Sequence, residues 1–407
     1  MTATVLMISP GYPAEMPFFT RGLARAGARV IGAGDQPVMA LPEMARDHLM
    51  DYWQTPSFAH EDAIVHEVAQ RAAGLRIDVV ASLWEPTMLL AARIRERLGI
   101  PGMTVEQTIP FRDKETMKQV LDAAGIRTPH HYRSGTAAGV REAVERIGYP
   151  IIVKPIAGAG SASTFRVDGP EDLERVLPQL RHVAEVSVEE FIDGSEYTYD
   201  TICSDGEVLF DNVCWYRPRP LIARQLEWIS PVTVVMRDID AANLANGRSM
   251  GRDVLRALGF HDGFTHMEWF RTASGEVVFG EIGARPAGAR TVDTMNFAND
   301  VDLFQQCAEA VLHGRLSEPI ERRYNAASIF KRAQGGGRIA RIEGLSNLLG
   351  DYGEWICAID LLPIGAPRRD WLMTLISDGM VIVRHPDLDT CIEIADRFAT
   401  ELQIYAD

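Results

Sequence analysis

The chain has 407 residues, too many for one ordinary hydrophobic core, and its 46% hydrophobic and 24% charged residues are the balance of a soluble globular protein of two to three domains. A formal net charge of −15 opposes nonspecific binding to nucleic acid, and the basic clusters RPRPLIAR (217–224) and ERR (321–323) are too short to reverse it. No apolar run reaches the roughly 18 residues of a membrane span, so no membrane partner is expected. The five cysteines are scattered without a C-x-x-C pair, which argues against a zinc ribbon or disulfide scaffold and fits a reducing cytoplasm.

The opening MTATVLMISPGYP lacks the basic stretch and long apolar core of a leader, so VLMIS is expected as a first strand. TVLMIS and ARVIGAG flank the helical spacing of FFTRGLARAG, and IDVVASLW precedes TMLLAARIRERLG, an alternation that predicts a small parallel sheet over 1–105. Neither glycine cluster there makes G-x-G-x-x-G, so no dinucleotide fingerprint is present. A second unit is expected over 106–185. It holds the amphipathic helix RDKETMKQVLDAAGIRTP, closed by Gly125 and Pro129, then the helix AAGVREAVERIG, the strand IIVKP and the helix DGPEDLERVLPQL. From 186 to 320 the texture turns to strands (VSVEEFI, EYTYDTICS, EVLFDNVCWY, WISPVTVVM) with a helix near 241–258 and the hairpin FTHMEWFRTASGEVVFGEIG. A small α+β unit is expected over 321–407, with QGGGR as a turn and LDTCIEIADRFATEL as a last helix.

Chemistry is suggested at three places. In IIVKPIAGAGSAST (151–164), Lys154 ends a β-branched run, and a buried ammonium needs an anion; the small residues that follow, with Gly160 and Ser161 among them, offer backbone N–H groups and hydroxyls to a phosphate. The hairpin carries Glu268 and Glu281 in apolar strands, and a turn of even length places them on one face about one diagonal step apart. Two carboxylates there suit Mg²⁺; the alternative is that one faces solvent or pairs with Arg285 or Arg290. In VEEFIDGSEYTYD, a strand end followed by a glutamate has the groups to meet a purine edge and ribose hydroxyls.

In this order, Lys114 at a helix start, Lys154 in IIVKP, EEFIDGSE, and Glu268 followed by EIGARPAG, the chain resembles the ATP-grasp superfamily, and more narrowly its carboxylate–amine ligases of the L-amino-acid ligase branch, over about residues 1–310. The resemblance implies an N-terminal Rossmann-like pre-ATP-grasp domain, a two-subdomain ATP-grasp fold (106–185 as lid, 186–320 with the metal site) and the C-terminal unit. It implies ATP and Mg²⁺, with Mn²⁺ as a substitute. Lys114 and Lys154 are then expected on the phosphates, Glu189 on the adenine amino group, Glu190 and Ile192 as hinge backbone, Glu196 on the ribose, and Glu268 and Glu281 on the metal. One departure is Gly283, where many members carry Asn at the second metal position. Arg285, four residues after Glu281, matches the arginine such ligases hold near the reacting acyl group, with the Gly288 N–H as helper. The loop 157–164 is expected to cover the phosphates and exclude water.

The expected activity is therefore an ATP-dependent ligase joining a small carboxylic acid or amino acid to an amine through an acyl phosphate. The alternatives are a bicarbonate-activating enzyme of the same superfamily and a nonenzymatic ATP-binding module. A homodimer is the expectation from base rates. His266 lies two positions from Glu268 and shares its face, with a structural role favoured. Trp215, Tyr216 and arginines 217, 219 and 224 are candidates for the substrate pocket, whereas His130 and His131 are expected to be structural.

Overall fold

The computed structural model describes residues 2–156, 163–374 and 376–407. Strands β1 (Thr4–Ile8), β2 (Arg29–Gly34), β3 (Asp51–Gln54) and β4 (Val79–Ala81) form a parallel sheet in the order β3-β2-β1-β4. The unbroken apolar run of β1 follows from burial on both faces. Val5 and Met7 pack with Met16, Phe19 and Leu23 of the helix Met16–Arg25, while Leu6 and Ile8 pack with Ile64, Val68, Leu90 and Ile94 of the helices on the other face.

The second sheet is antiparallel, with β5 (His131–Ser134), β6 (Ile151–Pro155), β7 (Phe165–Val167) and β8 (Val186–Glu190) in the order β5-β8-β6-β7. Sheet membership corrects the expected boundary at 185/186. The backbone of β8 pairs with both β5 and β6, and Val186 and Val188 share a core with Ile151 and Val153, so the small unit runs to about residue 190.

The third sheet has nine strands. It takes in β9 (Gly194–Ser204), β10 (Glu207–Asn212), β11 (Cys214–Arg217), β12 (Val232–Val235), β13 (Gly263–Thr272), β14 (Val277–Gly283) and β15 (Asn325–Lys331). After them come β16 (Gln334–Gly335), β17 (Ile339–Glu343), β18 (Ile356–Leu361), β19 (Gly379–His385) and β20 (Gln403–Ala406). The order β14-β13-β9-β11-β12-β15-β19-β18, with β10 beside β9, draws three strands of the C-terminal stretch into the large sheet. The α+β unit expected over 321–407 therefore shares its first strand with the large sheet: all seven residues of β15 are buried, and its two edges are taken by β12 and β19. Among the described residues of this stretch, β16, β20 and β17 form a separate three-stranded sheet in the order β16-β20-β17. No described helix is long and apolar enough to cross a membrane.

Candidate active site

A cavity of about 670 Å³ opens between the second and third sheets, and turns of the first domain reach it through Tyr12, Trp84 and Glu85. One wall carries Lys154 near the end of β6 and Glu189 on β8, diagonal neighbours on one face because Lys154 is opposite Ser187 and Ile152 opposite Glu189. The facing wall carries Glu268 on β13 and Glu281 on β14.

Both lysines named from the sequence line this cavity, and each meets a carboxylate. Lys154 Nζ lies 2.9 Å from Glu189 Oε2, and Lys114 Nζ lies 3.0 Å from Glu281 Oε1. Lys114 starts the helix Lys114–Ala123, whose N-cap Asp113 accepts hydrogen bonds from the N–H groups of Glu115 and Thr116, so the first turn is fixed where the lysine leaves it. One turn on, Lys118 is 1% exposed and pairs with the other oxygen of Glu189. Burial alone would raise the Glu189 carboxyl, but Lys118 and then Lys154 hold it well below the usual carboxylate range. Burial would likewise lower Lys154, yet Glu189, Glu281 and Glu268 keep it firmly protonated.

Glu189, expected on the adenine amino group, makes two ion pairs in this structure. Both carboxylate oxygens are committed to buried ammonium groups, which an unpaired charge at this depth requires, so the side chain positions Lys154. Glu190 donates its N–H to the His130 carbonyl, and its carboxylate accepts from Arg127 and from the His130 N–H. The Ile192 carbonyl accepts from Arg219. Of the backbone groups expected as hinge at these two residues, the Glu190 N–H and the Ile192 carbonyl are thus already engaged within the protein. Glu196 is buried at the cavity with Arg219 Nε 3.2 Å from its Oε2. Burial, then the nearby Glu268, pushes its carboxyl up to about 8. Gly160 and Ser161 lie outside the described residues, as does most of the loop around them.

Glu268 and Glu281 are directly opposed, closer than the diagonal step expected from turn parity. The register slips between Glu268 and Trp269: Trp269 faces Phe279, Glu268 faces Glu281, and Gly280 is the extra residue of a β-bulge. Without the bulge Glu281 would take the opposite face. A Cβ on Gly280 would stand 2.8 Å from the Glu268 carbonyl oxygen, which is why glycine occupies the site. The two carboxylates are hard oxygen donors on one face, and among the described residues no third acidic, His or Cys side chain joins them as a metal cluster. Such a pair fits Mg²⁺ completed by phosphate oxygens and water.

Behind Glu268 lies a chain of buried groups. Asp200 is fully buried and bonds His266 Nδ1 at 2.6 Å, while His266 Nε2 faces Glu268 Oε1 at 3.7 Å. Burial opposes protonation of this imidazole, but Asp200 raises it to about 9, so it stands as a cation behind the carboxylate.

Arg285 reaches the same cavity and pairs with Glu85 at 3.0 Å. Glu85 also holds Arg112, so a turn of the first domain orients both guanidinium groups. At the Gly283 departure, a Cβ would stand 3.2 Å from Arg285 Cγ, so a side chain there would press the Arg285 side chain aside by a few tenths of an ångström. Gly288 lines the cavity, and its carbonyl caps Thr291. Next to it Ala289 and Arg290 both adopt left-handed backbone, φ 55 and 58, with the Arg290 N–H given to Glu15. Strain of this kind persists only where neighbours impose it.

Sequence reasoning missed Lys118, Glu85 and the role of Asp200. Lys118 had a signal in its i+4 spacing from Lys114. Glu85 follows the run IDVVASLW, and carboxyl ends of parallel strands are where such sheets place ligands.

The ATP-grasp domain family matches residues 147–293, and the ATP-grasp N-terminal domain family matches residues 24–102. An L-arginine-specific L-amino acid ligase of Bacillus subtilis is 30% identical over 218 residues, 52% of this chain and 52% of that protein. A D-alanine--D-alanine ligase B of Clostridium perfringens is 40% identical over 159 residues, 35% of this chain and 52% of that protein. The chain spans about half the length of these curated relatives. In three dimensions it superposes on an L-amino acid ligase from Bacillus licheniformis with a TM-score of 0.81 at 21% identity, covering 100% of this chain and 99% of the other. Residues 24–102 and 147–293 thus match ATP-grasp domain families in sequence, and along its whole length the chain shares the fold of an L-amino acid ligase.

Proposed function

We propose that the protein is an ATP-dependent carboxylate–amine ligase, forming an amide or peptide bond between a small acid or amino acid and an amine through an acyl phosphate. The observation that carries this reading is the opposition, across one cavity, of Lys114 and Lys154 to the cross-strand pair Glu268 and Glu281, with Arg285 beside them. The names of the relatives, L-amino acid ligases and D-alanine--D-alanine ligases, point the same way.

On this reading the two lysines bind the phosphates of ATP, and Glu189 keeps Lys154 charged and oriented. Glu190 and Ile192 offer backbone to the adenine edge, and Glu196 accepts from the ribose. Glu268 and Glu281 hold Mg²⁺, which when bound neutralises charge on the phosphates. The substrate carboxylate attacks the γ-phosphorus, ADP leaves, and the amine attacks the resulting acyl phosphate with loss of phosphate. Arg285, fixed by Glu85, stabilises the tetrahedral oxyanion with the Gly288 N–H; loss of one such donor typically costs about 10²- to 10³-fold in rate.

The test is phosphate release from ATP and Mg²⁺ across amino acids and small carboxylates, each with and without a second amine, in wild type and Glu281→Ala. Release that needs a particular acid, rises with an amine and is lost in the variant supports the ligase. Release driven by bicarbonate alone, or nucleotide binding without any release, refutes it.

A further inference from the structure

Seven positively charged side chains line the cavity, and five of them meet a carboxylate: Lys114 with Glu281, Lys154 with Glu189, Arg219 with Glu196, Arg285 with Glu85, and His266 with Asp200. Arg224 and Arg332 do not. Arg332 spends Nη1 on the carbonyls of Ala223 and Leu226, at 2.8 Å each, and its guanidinium lies over the Trp371 ring at 4.4 Å. Its Nε is buried without a hydrogen-bond partner among the described residues. Arg224 has no side-chain hydrogen bond or ion pair among them, and burial alone lowers it. The acids nearest Arg332, Glu227 and Asp378, are both taken by Arg368. Burial, then the charge of Arg224, lowers Arg332 to about 10.

Two uncompensated guanidinium groups on one cavity wall are costly unless an anion joins them. Arg332 follows β15, and β15 stands four strand spacings from β13, which carries Glu268, roughly 19 Å across the sheet. That backbone span is several times the ~3.5 Å that a single residue extends. The same cavity is lined by the apolar side chains of Leu221, Phe330, Trp371 and Met373, with Trp371 against Arg332 itself.

We propose that Arg224 and Arg332 form a distal anion subsite, so that one substrate of the ligase is an extended molecule of about two to three residues with an apolar body and a terminal carboxylate. The assignment rests on the ligase reading for which end reacts, but the subsite itself is tested by binding alone. The full-length protein, held with Mg²⁺ and a nonhydrolysable ATP analogue, is titrated calorimetrically with leucine, Leu-Leu and Leu-Leu-Leu, each as free acid and as C-terminal amide. In wild type the acid is expected to bind about 10- to 100-fold tighter than the amide for the di- or tripeptide, the range of a charge-assisted hydrogen bond, and no tighter for leucine itself. In Arg224→Gln and in Arg332→Gln that ratio is expected to fall to within about twofold of unity. Arg224→Gln carries the test if loss of the Ala223 and Leu226 contacts destabilises the Arg332 variant. Equal affinity for acid and amide, no peptide binding, or a preference that survives both substitutions overturns the subsite. Failure of phosphate release with every acid and amine, beside an intact acid preference, overturns the ligase reading and leaves the subsite standing.

Discussion

Glu268 and Glu281 face each other across the β13–β14 hairpin because Gly280 is inserted as a bulge between them and the rest of the register. The face proposed to hold the metal is therefore made by backbone geometry at a residue that carries no side chain.

Gly280→Ala sets a methyl group 2.8 Å from the Glu268 carbonyl oxygen, and the backbone on one strand must move. We expect a stability loss of about 1–3 kcal/mol, the usual cost of overpacking. Mg²⁺-dependent turnover should fall with it, and the Mg²⁺ requirement should shift to higher concentration. A variant with wild-type Mg²⁺ dependence would show that the register is not what brings the carboxylates together.

Glu189→Gln leaves Lys118 and Lys154 buried without their shared anion. Breaking such a pair from one side costs about 3–5 kcal/mol, which denaturant unfolding would show, and Lys118→Met in the same chain should recover part of it. The acid side offers a second readout. Because the folded Glu189 titrates below its ordinary value of 4.5, its contribution is complete above that pH and is lost as pH falls toward the folded value. The Gln variant should show a flatter acid limb.

His131 joins the helix Lys114–Ala123 to the small sheet, with Nδ1 2.7 Å from Glu115 and Nε2 3.0 Å from Asp122. Burial opposes its charge, yet hydrogen bonds to Glu115 and Asp122 raise it above 6.5. A raised imidazole stabilises fully below its unfolded pKa and ceases to as pH rises through its folded one. Stability should decline on the alkaline side of 6.5, and His131→Gln should remove that decline; an unchanged pH profile would contradict the pairing.

Gly283→Asn supplies the side chain that many superfamily members carry, and its Cβ would stand 3.2 Å from Arg285 Cγ. Rather than improving the metal site, the substitution should turn Arg285 away from Glu85 and lower kcat by about 10²- to 10³-fold, as loss of an oxyanion donor does. A rise in activity or in Mg²⁺ affinity would mean that the missing amide is a real deficit.

Much of this was legible in the sequence where a residue's role is set by its own strand. Lys154 ends a β-branched run, so its exit toward the cavity follows from the run's burial, and Glu268 is forced onto the hairpin face by period two. Pairings between distant elements were not legible. Lys118 and Glu189 are 71 positions apart, Glu85 and Arg285 are 200, and neither couple has a local pattern to mark it. The Gly280 bulge escaped for a different reason: a strand glycine can mean a bulge, a bend or a close approach, and only the partner strand decides. The β8 boundary failed because VSVEEFI reads as the first of a series of strands, whereas its backbone is shared with β5 and β6.

The most direct test of the central claim is to follow an oxygen. With the substrate acid labelled with ¹⁸O in its carboxylate, attack on the γ-phosphorus leaves one labelled oxygen bridging carbon and phosphorus, and amine attack on the carbonyl releases it in the phosphate. Mass spectrometry of the phosphate should show one ¹⁸O per phosphate formed, dependent on the amine and absent in Glu281→Ala. Unlabelled phosphate, released at the same rate without the acid, would contradict an acyl phosphate and with it the ligase.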